Sequence, residues 1–274
     1  MSSFEKEYYE AESFWQEGMV LDEANINRIE KTISLIPADV KTLADIGCGN
    51  GVFLNKLKIS ETSLDILGID RSKAALSYVN AKKMEGDISN IPLDDNSIDC
   101  LTCLEVIEHL PVNVYGKALE ELARVSSKYL IVSVPFAEKL EDAYTKCPQC
   151  KSIFNTDMHL RSFDEKTFIS LFDKLGFKNT SFQKLGEIKT FVWKEKYVKI
   201  FYPEQVLAWN SPICPICGFQ NEQQAKVNNM VSEKESVKQK KSIISYFSAL
   251  PKLIWPQKTR YYWIIGLFEK SKQI

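Results

Sequence analysis

Short apolar runs alternate with amphipathic segments along most of the chain, which is the pattern of an α/β protein built on a parallel sheet. The runs have the length of strands and are rich in Val, Ile and Leu, as expected for strands buried on both faces. Between them, apolar residues recur at helical spacing, for example at Ile26, Ile29, Ile33 and Ile36. We predict seven strands, which in chain order are 43–46, 67–70, a strand that ends at 85, a strand that begins at 97, 129–135, 177–185 and 261–268.

The first predicted strand runs into a turn that contains Gly47, Gly49 and Gly51. Glycines lack a Cβ, so the backbone can turn sharply and approach a ligand closely. Residues 52–58 then have the composition of a helix. A strand, a glycine-rich turn and a helix form a nucleotide cradle at the carboxyl end of a parallel strand. The spacing here is G-x-G-x-G, whereas dehydrogenases that bind a pyrophosphate use G-x-G-x-x-G.

Acidic residues lie at the ends of the first three predicted strands. Asp45 precedes the first glycine by two residues, Asp70 ends the second strand and Asp87 follows the third. A carboxylate at the end of the second strand can accept hydrogen bonds from both hydroxyls of a ribose. These positions therefore favour a ligand that contains a nucleoside.

Over residues 40–190 the chain resembles the class I S-adenosylmethionine (SAM) methyltransferases. The resemblance implies an α/β fold with a seven-stranded Rossmann-like sheet, helices on both faces and SAM as the cofactor. It also implies that the acid after the third strand meets the adenine amino group and that its apolar neighbour packs on the ring. The residues implied to bind SAM are Asp45, Gly47, Gly49, Gly51, Asp70, Asp87, Ile88 and Leu104.

Residues 105–109 read Glu-Val-Ile-Glu-His and follow the fourth predicted strand, where we expect a helix to begin. On a helix, Glu105 and His109 would share one face. The string is similar to one found in two groups of O-methyltransferases, which act on quinone-precursor catechols and on the terminal ribose of small RNAs. The resemblance implies a Mg²⁺ site at Glu105, Glu108 and His109, with His159 as the more distant histidine.

Each of these side chains also has a simpler interpretation. The two acids favour a helix N-terminus, where His109 would pack locally. His159 would act as the general base for a hydroxyl acceptor, or only as a hydrogen-bonding residue of a loop. The candidate catalytic residues are therefore His159, Glu105 and His109.

Two C-P-x-C motifs, Cys147–Cys150 and Cys214–Cys217, resemble the knuckles of zinc ribbons. Two residues between cysteines let both thiolates reach one metal, and four thiolates complete a tetrahedral Zn²⁺ site at Cys147, Cys150, Cys214 and Cys217. The pairs follow the fifth and sixth strands, whose carboxyl ends lie on the ligand side of such a sheet. We therefore expect a zinc-ribbon-like insertion that caps the active-site face. A redox dithiol and unpaired structural cysteines are the alternatives.

The other three cysteines are predicted to be structural. Cys100 and Cys103 also have C-x-x-C spacing, but they lie in an apolar strand whose successive side chains point to opposite faces. Both are expected in the core, and Cys48 in the glycine turn is expected to be a small buried residue.

We predict an N-terminal helical cap at 1–36, a SAM-binding core at 37–185, an insertion at 186–258 that completes a knuckle pair with 147–150, and the last strand at 259–274. The aromatic N-terminal segment would lie over the SAM site or simply cover the sheet.

The region 226–274 has ten Lys and Arg against three Glu. It is either a solvated insertion or a surface for a polyanionic substrate or, through peripheral membrane contact, for anionic lipid.

The charge of the whole chain gives no argument for nucleic acid binding, because 35 basic residues face 36 acidic ones. The N-terminus lacks the pattern of a signal peptide, and no apolar run approaches a membrane span. Seven cysteines suit metal ligation in a reducing compartment, so we expect a cytoplasmic protein.

Three functions follow from these observations. The leading hypothesis is SAM-dependent O-methylation of a small molecule or of a glycan precursor, since the arrangement looks similar to bacterial methyltransferases of surface-polysaccharide pathways. The first alternative is an RNA methyltransferase whose zinc unit and basic insertion grip RNA. The second is a non-catalytic SAM-binding or zinc-binding interaction module.

Overall fold

The computed structural model describes residues 9–10, 15, 22–60, 63–191, 214–219 and 257–271. Most of the predicted insertion at 186–258 lies outside these residues, and so does most of the N-terminal segment. Of the basic region predicted at 226–274, only residues 257–271 lie within the described part of the chain. No helix among the described residues is long and apolar enough to span a membrane.

Nine strands account for the β-structure of the described residues. Seven of them form one sheet in the order β3-β2-β1-β4-β5-β9-β8, and β6 with β7 forms a separate antiparallel hairpin. Within the sheet β9 runs opposite to the other six strands, which all point the same way. The strands are β1 (Thr42–Ile46), β2 (Asp65–Asp70), β3 (Lys82–Glu85), β4 (Ile98–Leu104), β5 (Ser126–Pro135), β6 (Tyr144–Lys146), β7 (Ile153–Asn155), β8 (Phe177–Phe191) and β9 (Gln257–Lys270).

The helices connect the parallel strands and cover both faces. They are α1 (Glu23–Ser34), α2 (Val52–Ser60), α3 (Lys73–Leu76), α4 (Val112–Val125) and α5 (Glu165–Ile169), with 3₁₀ turns at Ile107–His109, Leu140–Ala143 and Asp173–Leu175. Asp22 caps α1 by accepting a hydrogen bond from the Asn25 N–H, so the helix begins there. Asp164 caps α5 by accepting a hydrogen bond from the Thr167 N–H.

The core consists of two apolar layers, one on each face of the sheet. One layer packs α4 and α5 on the sheet, with Phe168 and Phe172 against Phe268 at ring distances of 5.6 and 5.1 Å. The other packs α1 and α2. Cys103 belongs to the first layer and Cys100 to the second, which confirms that these cysteines alternate across a buried strand.

The predicted seven-stranded sheet is confirmed, with two differences at its margins. β8 and β9 continue past the predicted strand ends because residues 187–191 pair with 257–261. The predicted helix directly after β4 is wrong: Glu105 has φ 57°, only a 3₁₀ turn follows, and α4 begins at Val112. The cause is Pro111, since a residue before proline avoids the helical region and Leu110 is accordingly extended (φ −70°, ψ 131°).

Candidate active site and cysteine cluster

A cleft of about 800 Å³ opens at the carboxyl ends of β1, β2 and β4. In open α/β sheets ligands bind at this edge, and the volume is typical of small-molecule sites. The predicted SAM-binding residues line it with one exception, Gly51. Residues 156–159, which follow β7, line the opposite side.

The glycine turn forms the floor of the cleft. Gly47 and Gly49 have φ values of 76° and 52°, which L side chains rarely adopt. A Cβ on Gly47 would lie 2.6 Å from Cγ2 of Val106, and one on Gly49 would lie 2.9 Å from the Trp15 ring. A Cβ on Gly51 (φ 74°) would lie 3.1 Å from Cα of Val79, so all three glycines let the turn pack closely, and of the three only Gly51 does not line the cleft.

Two buried carboxylates support the turn. Asp70 accepts hydrogen bonds of 2.8 Å from the N–H groups of Gly49 and Ser72. Burial raises the pKa of Asp70, and these two hydrogen bonds oppose the rise. Asp45 accepts a 2.6 Å hydrogen bond from the Thr102 hydroxyl, and burial raises the pKa of Asp45 to about 7.

The predicted adenine end of the cleft is more open. Asp87 is exposed and accepts hydrogen bonds from the backbone N–H and the hydroxyl of Ser89. Ile88 and Leu104 are half-buried in the cleft wall. The wall thus offers apolar surface beside an exposed acceptor.

Tyr9 and Trp15 from the N-terminal segment lie over the glycine turn and line the cleft. The side-chain amide of Asn50 donates to the Trp15 carbonyl, and the Ser72 hydroxyl donates to the Tyr9 carbonyl. Of the two interpretations given for this segment, the described part therefore fits the one in which it lies over the ligand site.

Arg28 on α1 also lines the cleft and was not among the predicted site residues. One of its terminal nitrogens lies 3.8 Å from Oε1 of Glu105, and its guanidinium lies 5.3 Å from the centre of the Trp263 ring. Its Nε is buried and has no hydrogen-bond partner. The available sequence signal was weak: Asn25, Arg28 and Thr32 follow one another at helical spacing beside the isoleucine stripe.

The Glu105–His109 string forms a compact group although it is not a helix. Glu105 accepts a 2.7 Å hydrogen bond from the Ser133 hydroxyl. Glu108 is fully buried, neither of its oxygens has a hydrogen-bond partner, and Oε1 lies 3.8 Å from Nε2 of His109. The rings of His109 and His159 meet edge to face with centres 4.8 Å apart. One ligand atom from each of Glu108, His109 and His159 lies within 4.8 Å of the others.

The pKa values of the buried acid and the two histidines in this group are all shifted from their usual range. Burial raises the pKa of Glu108 well above its usual range, and Glu105 adds to the rise. Burial lowers the pKa of His109 to about 3. Burial lowers the pKa of His159, but the 2.6 Å hydrogen bond between its Nδ1 and Glu138, together with the negative charges of Glu138, Asp157 and Glu105, raises that pKa overall.

A divalent cation fits these residues. A buried carboxylate without a partner is unfavourable unless it is protonated or meets a cation. Both side-chain oxygens of Glu108 and Nδ1 of His109 are buried and have no hydrogen-bond partner. Carboxylate and imidazole ligands suit Mg²⁺ or Mn²⁺, and Glu105 and His159 supply further donors next to them.

The two cysteine pairs meet as predicted. The Sγ atoms of Cys147 and Cys217 are 3.7 Å apart, and so are those of Cys150 and Cys214. All four lie within 4.8 Å of one another. Both pairs form the same tight turn, in which the residue after the second cysteine has positive φ and donates its N–H to the carbonyl of the first.

Comparison with known proteins identifies the central part of this structure. Residues 44–129 match the family model described as a methyltransferase domain. This match covers about a third of the chain and marks the central part of the sheet as similar to a methyltransferase domain. The matched region contains the glycine turn, Asp70, Asp87 and the Glu105–His109 string, whereas His159 and the four cysteines lie beyond it.

The methyltransferase domain is also similar to proteins of known name. Over 155 residues the chain is 31% identical to a small RNA 2′-O-methyltransferase of Arabidopsis thaliana, which covers 50% of this chain and 16% of that protein. Over 101 residues it is 29% identical to a ubiquinone biosynthesis O-methyltransferase of Ralstonia nicotianae. That alignment covers 33% of this chain and 42% of that protein. The chain thus spans less than half the length of these curated relatives.

Solved structures share the fold of the methyltransferase domain. Magnesium protoporphyrin IX methyltransferase of Synechocystis PCC 6803, solved with bound SAH, aligns with a TM-score of 0.51. The alignment covers 67% of this chain and 93% of that chain at 14% identity. This likeness establishes the architecture of the sheet and its helices.

Glu108→Gln is expected to stabilise the metal-free protein at neutral pH and not in acid. The folded pKa of Glu108 lies above the unfolded value of 4.5, so ionisation costs stability as the pH rises above about 4.5. Urea unfolding with a chelator should show the variant more stable than wild type near pH 8 and nearly equal to wild type near pH 4. Glu120→Gln, an exposed position on α4, is the control. Equal stability at both pH values would show that Glu108 is not strained by burial.

Proposed function

We propose that this protein is a SAM-dependent O-methyltransferase that places the acceptor hydroxyl beside a divalent cation, with a small molecule or a glycan precursor as substrate. The observation that carries the proposal is the buried, unpaired carboxylate of Glu108 next to His109 and His159, at the edge of the cleft that holds the glycine turn. The match to a methyltransferase domain supports methyl transfer as the reaction. The cluster of Glu108, His109 and His159 supports oxygen as the acceptor atom.

SAM would lie across the floor of the cleft. Gly47 and Gly49 line this floor, and the remaining lone pairs of Asp70 would accept the ribose hydroxyls. Asp87 would accept from the adenine amino group, while Ile88 packs on the ring. Arg28 places a partly buried guanidinium in the cleft, where it would bind the carboxylate of the methionine moiety.

The divalent cation would be held by Glu105, Glu108, His109 and His159. When bound, such an ion lowers the pKa of a coordinated hydroxyl and orients it for attack. Glu138 hydrogen-bonds Nδ1 of His159, and a carboxylate partner of this kind fixes the tautomer and orientation of a metal-binding imidazole. The same pairing would orient His159 as a general base, so it is compatible with both roles.

Oxygen is favoured over nitrogen as the methyl acceptor because a hydroxyl has to lose its proton during the reaction. SAM is an activated electrophile, so the protein chiefly positions the acceptor and, for a hydroxyl, removes its proton. An amine acceptor does not need an acidifying cation. Both named relatives are O-methyltransferases, which supports the same choice.

RNA is the second candidate acceptor. The match to the small RNA 2′-O-methyltransferase extends over half of this chain, further than the match to the ubiquinone enzyme. A panel of hydroxyl-bearing small molecules, glycans and short RNAs would separate the candidates by turnover. RNA binding that weakens steeply with salt would favour the second candidate, because phosphate contacts release counterions. Absence of turnover on every acceptor would favour the non-catalytic alternative.

The four-cysteine cluster would hold one structural Zn²⁺. Four thiolates leave no open coordination position, as in structural zinc sites. The Sγ distances support a shared metal, and the hairpin that carries Cys147 and Cys150 leads directly to the cleft. The cluster would therefore act as a cap on the acceptor side.

Asp70→Ala should weaken SAM binding at least about tenfold, because it leaves ribose hydroxyls and two backbone N–H groups without their acceptor. Asp70→Asn keeps one acceptor oxygen and should lose less. Asp65→Ala, at the exposed start of β2, should leave the Kd unchanged. Isothermal titration calorimetry measures all three, and a wild-type Kd in Asp70→Ala would remove Asp70 from the cofactor site.

Methyl transfer to the correct acceptor should fall after treatment with a mild chelator and return with Mg²⁺ or Mn²⁺, zinc content being measured throughout. Mn²⁺ should also raise the melting temperature of wild type but not of Glu108→Gln, because the ion satisfies the buried carboxylate. Turnover that is indifferent to the chelator would leave Glu108 and His109 as a purely structural pair.

The same measurements define the role of His159. If it is a ligand, His159→Ala loses the melting-temperature response to Mn²⁺. If it is the general base, that response persists and kcat falls by about 10²–10⁴. Near-normal turnover with a normal Mn²⁺ response would exclude both roles.

Protein purified without chelator should contain one Zn²⁺ per chain. Cys214→Ser should lower this content and impair acceptor use while SAM still binds, since the sheet has its own core. Cys48→Ser, in the glycine turn, should retain zinc. Elemental analysis decides the matter, and a content near zero in wild type would rule out the zinc site.

A further inference from the structure

The hairpin β6–β7 joins the cysteine cluster to the cleft. Cys147 directly follows β6, and the first knuckle closes with the Cys147 N–H donating to the Ser152 carbonyl at the start of β7. β7 ends at Asn155, and the next four residues, 156–159, line the cleft. The chain therefore passes from a thiolate cluster to His159 within one short hairpin.

Asn155 shapes the connection between the hairpin and His159. Its side chain is 6% exposed. Oδ1 accepts hydrogen bonds from the backbone N–H groups of Asp157, at 2.9 Å, and His159, at 3.4 Å. Nδ2 donates to the Leu140 carbonyl at 3.0 Å, which ties this turn to the 3₁₀ turn before the hairpin. One amide side chain thus satisfies three backbone groups.

The turn that Asn155 closes is one the backbone would not adopt by itself. Met158 has φ 61°, a conformation that is unfavourable for a side chain of this size. Beyond it, the Leu160 N–H donates to the Glu108 carbonyl at 2.9 Å. His159 is therefore held between Asn155 on one side and the Glu108 backbone on the other, with Glu138 at Nδ1.

The hairpin itself is too small to be ordered alone. Its two strands have three residues each, and isolated hairpins are marginal even when longer. A metal bound by Cys147, Cys150, Cys214 and Cys217 would supply the missing order, because such sites form only when their loops come together.

We propose that Asn155 is a positioning residue that transmits the order of the cysteine-held hairpin to His159, so that filling the cysteine site raises the affinity of the Glu108–His109–His159 site for a divalent cation. The effect on cation affinity rests on the proposed function, whereas the positioning role of Asn155 concerns only the backbone of residues 156–160. A cation that must also order residues 156–160 binds more weakly than one that finds them in place.

The test uses the full chain loaded with zinc and compares wild type, Asn155→Ala and the control Ile153→Ala, a 54% exposed position on the same strand. Amide hydrogen exchange is measured over residues 156–160, and Mn²⁺ affinity is measured by electron paramagnetic resonance of the free ion. Asn155→Ala should keep its zinc and its SAM affinity, exchange faster at 156–160 and bind Mn²⁺ about tenfold more weakly. Removal of zinc from wild type should produce the same two changes.

Asn155→Asp provides the matched rescue. It retains an oxygen that accepts from the Asp157 and His159 N–H groups but loses the donor to the Leu140 carbonyl, so it should recover part of the slow exchange and of the Mn²⁺ affinity. Asn155→Leu fills a similar volume without an acceptor and should exchange as fast as Asn155→Ala, so recovery in Asn155→Asp but not in Asn155→Leu separates the hydrogen bonds from packing.

Wild-type exchange at 156–160 in both Asn155→Ala and the zinc-free protein would overturn the inference, whatever the affinity for Mn²⁺. If wild type binds no Mn²⁺, the divalent part of the proposed function fails, and exchange at 156–160 still decides whether Asn155 relays order from the hairpin. Faster exchange in Asn155→Ala but not in the zinc-free protein would overturn the link to the cysteine cluster.

Discussion

The buried carboxylate of Glu108 is the constraint around which the acceptor side of the cleft is arranged. The charges next to it have partners: Glu105 faces Arg28 and Ser133, and His159 faces Glu138. Glu108 has none, although its backbone carbonyl is used by Leu160. A protein tolerates such a group only where something favourable compensates for it, and the neighbouring imidazoles indicate a cation.

The glycine-turn side and the His159 side of the cleft differ in how they are built. The glycine turn, Asp45 and Asp70 lie on the strands of a sheet with its own core, so their geometry follows from the fold. His159 lies on a connection whose conformation depends on one amide side chain and a small hairpin. This division suits an enzyme in which the cofactor site is constant and the acceptor site is organised by an added unit.

The features that were predictable from the sequence are those set by local patterns. Buried strands, the glycine turn and the knuckle spacing are each encoded within a few residues, so the sheet, the floor of the cleft and the cysteine pairs were foreseen. The helix expected at Glu105 does not form there because Pro111 keeps Leu110 out of the helical region, and α4 begins only after that proline. Arg28 was missed because its contacts with Glu105 and Trp263 join segments far apart in the chain. Asn155 was missed as well, because its role depends on the position of the β6–β7 hairpin relative to the cleft, which the sequence does not indicate.

The position of β9 has a consequence for how the chain folds during synthesis. β9 lies between β5 and β8, so β8 cannot join the sheet until residues 257–270 have left the ribosome. Until then β5 presents an open edge, and Phe168 and Phe172 lack their partner Phe268. A nascent chain with such an edge is prone to pairing with other chains. Expression yield and chaperone dependence should therefore depend on β9, far from the residues that line the cleft.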